Sequence, residues 1–164
     1  MSVLATTATH TYRIYVKATP EAVWDAITNP DTTDRYGYGG RVEYELRPGG
    51  AFRAAPSDAM RSYGSPDPLI EGEVLEVDDG RRLVHTWHAR FDAETSAEAP
   101  SRLTWEIDQG DGPSAALTRL TLTHELDAAP RTASFVSGEM PHTGGGWSFV
   151  LSDLKTLLET GESL

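Results

Sequence analysis

The chain has 164 residues, 14 Lys plus Arg against 25 Asp plus Glu, a formal net charge of −11, and no cysteine. Its length suits one domain, large enough to bury a core without covalent staples. The missing cysteines exclude disulfides, thiolate zinc sites, thiol catalysis and cysteine-held iron–sulfur clusters, and an acidic balance with only two lysines, Lys17 and Lys155, argues against nucleic acid or an anionic membrane surface as a partner.

Residues 1–9 are expected to be an N-terminal tail, and residues 10–161 a single domain. The opening Met1–Ala8 has neither a basic segment nor a long apolar one, so no signal peptide is expected. No stretch approaches ~18 consecutive apolar residues, so membrane insertion is not expected either, and the cytoplasm is the default location. The acidity is read as a solubility device. His10 to Lys17 alternates as a first strand, with Tyr12, Ile14 and Val16 on one face. A helix follows: Thr19 suits the N-cap, Pro20 the first helical position and Glu21 the positive end of the dipole. Val23, Trp24 and Ile27 make its apolar stripe, Asn29-Pro30 stops it, and Asp31 to Tyr36 has room for one further short helical turn.

After the Tyr36–Gly40 loop, Arg41 to Leu46 reads as a second strand and Ala51 to Ala54, carrying Phe52, as a third. Residues 55–68, with Pro56, Pro66 and Pro68, read as a long loop that is either a lid carrying Met60 and Tyr63 or disordered. Leu69 to Val77 is a fourth strand whose adjacent Val74 and Leu75 predict a bulge, and Asp79-Gly80 predicts a hairpin. The fifth strand, Arg82 to Ala89, places Leu83, His85 and Trp87 on one face. Asp92 to Pro100 reads as a polar loop, and Arg102 to Ile107 and Leu117 to Glu125 as the last two strands. Trp147, Val150, Leu151, Leu154, Leu157 and Leu158 then fall at i, i+3, i+4, i+7, i+10 and i+11, one stripe of a long C-terminal helix that Gly161 is placed to end.

One apolar face on the helix and one on each strand are most simply buried by laying the helix across a curved antiparallel sheet, an α+β layout. The order of elements resembles the helix-grip fold of the START and birch-allergen superfamily, often called SRPBCC. More specifically, Thr19–Thr28, Gly72–Val77, Arg82–Trp87, Thr118–His124 and the closing stretch from Gly146-Trp147 to Gly161 resemble the branch named after the activator of the Hsp90 ATPase. The resemblance covers about residues 10–161 and rests on the ordered set rather than on any one motif. It implies a sheet of six to seven strands around a long C-terminal helix, two short helices after the first strand, and a cavity between sheet and helix that takes apolar or amphipathic molecules. The eukaryotic activator carries a further large domain that engages the chaperone, for which there is no room before Tyr12.

The expected cavity-lining residues are Tyr44, Phe52, His85, Trp87, Trp105, His124, Trp147 and Leu151, aromatic walls with a few polar tips. Glu106 and Glu125 have the wrong strand parity to pair with these histidines, and Glu73 is a carboxylate partner by general location only. No His-x-x-x-His or Glu-rich ligand cluster calls for a metal, no cofactor is indicated, and no Gly-x-Ser-x-Gly nucleophile elbow occurs. Gly144-Gly145-Gly146 either exposes N–H groups to an anion or lets the chain approach closely so that Trp147 enters the cavity mouth. The leading expectation is a cytoplasmic binding protein for a small hydrophobic or amphipathic ligand. The alternatives are a cyclase, hydrolase or isomerase with His85 or His124 as acid/base and Tyr44 as donor, and a module for a chaperone or other protein partner. Homodimerisation is compatible with such a fold, but the sequence marks no interface.

Overall fold

A computed structural model describes residues 8–164; residues 1–7, most of the expected tail, lie outside the described part. The elements are β1 (Thr9–Val16), α1 (Pro20–Thr28), α2 (Pro30–Thr33), β2 (Val42–Tyr44), β3 (Ala51–Ala54), α3 (Asp58–Ser62), β4 (Ile70–Asp78), β5 (Arg82–Ala89), α4 (Ala93–Ala97), β6 (Ser101–Gln109), β7 (Thr118–Glu125), α5 (Pro130–Val136) and α6 (Gly146–Thr160). The seven strands form one antiparallel sheet in the order β1-β7-β6-β5-β4-β3-β2. The anticipated bulge lies in β4, where the register against β5 shifts between Val74 and Glu76.

Local chemistry explains the first helices. Thr19 Oγ1 accepts from the Ala22 N–H at 3.1 Å, and Asn29 ends α1 while its side chain accepts from the Asp31 N–H and starts α2. Removing the first cap should cost about 1 kcal/mol, read as a lower urea midpoint in Thr19→Ala with an unchanged slope; no loss would show that the cap is redundant. The buried face of α1 is Val23, Ala26 and Ile27, whereas Trp24 is only half-buried at its edge.

Three short helices stand where the sequence reads as loop or shows no element. Within the 55–68 segment, Ser57 caps α3; within 92–100, Asp92 and Thr95 cap α4 reciprocally. The third, α5, has no side-chain cap of its own. Its first N–H groups are taken by Glu98, whose carboxylate accepts from Arg131 N at 2.7 Å, Thr132 N at 2.9 Å and Thr132 Oγ1 at 2.7 Å.

The core lies between the concave face of the sheet and α6, which buries Leu151, Leu154 and Leu157. On the convex face, Arg82 pairs with Glu76 and Glu106, Arg102 with Glu125, and Arg119 with Asp108. These pairs are part-exposed and each contributes at most about 1 kcal/mol.

Candidate functional site

The helix does not fill the curve of the sheet. Between β2–β6, the first half of α6, α3 and α5 lies a cavity of about 410 Å³. Its lining comprises 26 residues, of which nine are aromatic and none is Asp, Glu, Lys or Arg. Five of the eight candidate residues reach it: Tyr44, Phe52, Trp87, Trp105 and Trp147. Tyr44 stacks on Phe52 with ring centroids 5.0 Å apart, and Trp147 stands edge-on to Trp105 at 5.7 Å and tilted to Trp87 at 5.9 Å. The other three, His85, His124 and Leu151, are fully buried and do not line the cavity.

The two histidines hold the aromatic wall from behind, each in one tautomer. His85 Nδ1 lies 2.9 Å from the Thr86 carbonyl oxygen, which only accepts, so Nδ1 carries the proton. Nε2 is then bare and accepts from the Tyr44 hydroxyl at 3.3 Å. His124 has the opposite arrangement. The Trp147 indole N–H donates to Nδ1 at 3.0 Å, so Nε2 carries the proton and donates to Ser101 Oγ at 2.7 Å, and the Ser101 hydroxyl in turn donates to the Trp87 carbonyl at 2.9 Å.

Charge is disfavoured here. Burial, foremost, lowers the His85 pKa to about 4 against the helping bond to Thr86. Burial and then the neighbouring His10 and His85 lower that of His124 to about 3. Burial likewise raises the Tyr44 pKa, with Tyr36 adding to it. Both histidines are therefore neutral near pH 7. His124 donates to Ser101 rather than accepting from it, so this Ser–His contact is not that of an activated nucleophile. Tyr44 donates its hydroxyl hydrogen bond to His85, and Glu106 and Glu125 face the convex side in ion pairs with arginines. Glu73 is exposed.

Several lining residues carry no strand or helix periodicity. Tyr36 and Tyr38 come from the loop after α2, Phe91 from the turn after β5 and Phe135 from α5. Two of them tie the loop down. Tyr36 donates to the Ala26 carbonyl at 2.7 Å; Tyr38 accepts from Gly146 N and donates to Thr143 O, both at 3.0 Å. Asp153 of α6, buried, accepts from Gly37 N at 2.8 Å and Leu164 N at 2.7 Å, so one carboxylate joins the cavity loop to the last residue. At the mouth, Met60 and Ser65 of the 55–68 segment line the cavity while Tyr63 is 91% exposed. The Gly144–Gly146 run passes the Tyr38 ring, and its Gly146 N–H is already taken by Tyr38. Among the described residues no group of three or more His, Asp or Glu is placed to hold a metal.

A seven-stranded antiparallel sheet closed over a long C-terminal helix, with an aromatic cavity between them, defines a helix-grip protein. The sequence pattern of the family described as Activator of Hsp90 ATPase homolog 1-like protein matches residues 17–159, and the chain belongs to that family. Among solved structures, the chain is similar to CalU16 from Micromonospora echinospora (19% identity, TM-score 0.65, covering 95% of this chain and 76% of that one). It is also similar to PFC0360w, an HSP90 activator from Plasmodium falciparum (24% identity, TM-score 0.54, covering 71% of each chain). A third is DynU16, a protein in the dynemicin biosynthetic locus (21% identity, TM-score 0.66, covering 96% of this chain), of whose length this chain spans about half, 49%. At these identities the likeness establishes the fold. No curated protein sequence matches the chain significantly.

Proposed function

We propose that this protein binds a small apolar or amphipathic molecule in the cavity between its sheet and α6. The observation that carries the reading is a space of about 410 Å³, within the range of small-molecule sites, walled by nine aromatic side chains and no Asp, Glu, Lys or Arg. Elsewhere the core is closely filled, with Leu83, Leu120, Leu122 and Leu154 at 0–1% exposure. A space left open in such a core forgoes packing energy, which a ligand would restore.

The acid–base alternative has less support. Its two histidines lie behind the wall, neutral and committed to protein partners, and Tyr44, which does reach the cavity, already donates its hydroxyl hydrogen bond to His85. Likeness to an HSP90 activator brings the chaperone reading only the shared fold. No helix of the described residues is long and apolar enough to cross a membrane.

The test is thermal unfolding followed by tryptophan fluorescence against uncharged naphthalenes, medium-chain alcohols and fatty acids. A member of the panel at a hundredfold excess over its Kd should stabilise by about 2.7 kcal/mol, or about 5–10 °C. Ile70→Trp, at a half-buried lining position, should fill the space and weaken that ligand tenfold or more. A panel without any shift, or binding undiminished in Ile70→Trp, would overturn the reading.

A further inference from the structure

We infer that the ligand is an amphipathic acid that enters apolar end first and leaves its carboxylate at the rim of the cavity, where the His142 imidazole receives it. The inference rests on the cavity-binding reading above and adds the ligand's polar group, its orientation and the residue that selects it.

Exposure marks the rim. Of the 26 lining residues, 24 are buried or half-buried, and the two exposed ones are Tyr38, at 39%, and His142. They are neighbours, because the Tyr38 hydroxyl donates to the carbonyl of Thr143, the residue after His142. The turn that carries them is fixed, since Thr143 Oγ1 donates back to the Met140 carbonyl at 2.8 Å. His142 has φ +65°, the one residue other than glycine with left-handed backbone among those described. Such a backbone is uncommon outside glycine and carries a cost, so the bend that holds His142 at the rim is maintained against strain.

Polar capacity is spent inside the wall and open at this rim. Of the six lining hydroxyls, those of Thr33, Tyr36, Tyr38, Tyr44 and Thr143 donate to protein acceptors, which leaves only Ser65. His142 has no hydrogen-bond or ion-pair partner among the described residues, and it is the only lining side chain of a type that takes a positive charge. An imidazole offers at least one N–H in either protonation state. Glu139, the one carboxylate in the α5–α6 connection, is outside the lining and near Tyr12 of β1, where it adds to burial in opposing ionisation of the hydroxyl.

These facts orient an amphipathic molecule. A carboxylate drawn among the Trp87 and Trp105 rings would lose its hydration without a counter-ion. Left at the rim, it keeps part of its water and accepts from His142, while the apolar remainder covers the aromatic wall. A head group that only donates gains nothing comparable there.

The experiment compares decanoate, 1-decanol and decanedioate, which share a chain length and differ in their ends. Binding is measured by calorimetry in the wild type and in His142→Gly, which removes the imidazole and suits the left-handed backbone, so the turn is kept. The variant should bind decanoate about fivefold more weakly and 1-decanol within about twofold of the wild type. In the wild type decanedioate should bind at least about tenfold more weakly than decanoate, because one carboxylate must then enter the wall. Orientation is read separately, without any substitution. Bromine quenches tryptophan emission on contact, so 10-bromodecanoate, with its bromine at the inner end, should quench more strongly than 2-bromodecanoate. Decanoate weakened no more than 1-decanol in His142→Gly, decanedioate binding as tightly as decanoate, or stronger quenching by the 2-bromo acid would overturn the inference while the cavity reading stands. If decanoate, 1-decanol and uncharged naphthalenes all fail to bind, the cavity reading falls with it.

Discussion

Gly146→Ala is expected to destabilise the protein by about 3–5 kcal/mol, while Gly161→Ala costs about 1 kcal/mol. Both glycines hold left-handed backbone, φ +65° at Gly146 and +83° at Gly161, which an L residue adopts at a cost. They differ in what a side chain would meet. A Cβ at Gly161, past the end of α6, has nothing within 4 Å. A Cβ at Gly146 would fall on the Val136 carbonyl oxygen, 2.6 Å from the Val136 carbonyl carbon and 2.7 Å from Gly138 N. All three are backbone, so no rotamer change relieves the contact, and the end of α5 must separate from the start of α6. In thermal unfolding the difference should read as a fall of about 10 °C against about 3 °C. Equal losses in the two variants would show that conformational strain alone acts at Gly146 and that the α5–α6 contact yields easily.

Acid should weaken the fold well before the carboxylates titrate. His85 and His124 have folded-state pKa values lowered to about 4 and about 3 from 6.5, by burial above all. Between the folded and unfolded values the unfolded chain binds more protons, so stability is full above pH 6.5 and falls as pH drops toward 4. From pH 7 to pH 5 each histidine should remove about 2 kcal/mol, at 1.36 kcal/mol per pKa unit, or about 4 kcal/mol together. Asp92 is held low by its α4 cap bonds and by Arg131, and Glu159 by Lys155 and the Lys17 N–H. Their stabilisation is lost only below the ordinary carboxylate range, roughly pH 4. Urea unfolding at the two pH values measures the loss. His85→Phe, set among Phe52 and Tyr44, should cut the pH-dependent part to about half, whatever it does to absolute stability. A flat profile from pH 7 to 5 would show that both histidines accept protons in the folded state.

The same two residues show where sequence reasoning reaches its limit. Period-two alternation placed Leu83, His85 and Trp87 on one face of β5, and all three do point into the core. Parity specifies a face but not a depth. Whether a ring borders the cavity or stands behind another ring depends on the curvature of the sheet and on the bulk of residues from other strands. Trp87 reaches the space, while His85 is covered, with Phe52 4.2 Å from it and Tyr44 bonded to it.

Signals written within a few residues were legible. The α1 caps, the β4 bulge, the strand order along the chain and the stripe of α6 all follow from neighbours at i+1 to i+4, because propensity, capping and periodicity are local. What depended on distant partners was not. The α5 helix takes its cap from Glu98, more than thirty residues upstream, the cavity loop is tied by Asp153, and Tyr36, Tyr38, Phe91 and Phe135 enter the wall from segments with no regular period. An apolar stripe measures how much surface must be buried, and that requirement already dictated a sheet folded over a helix. Where the burial stops short and leaves a space is decided when side chains from separate segments meet, and in this chain those side chains include the tryptophans of β5, β6 and α6, two of which, Trp87 and Trp147, rest on neutral His124.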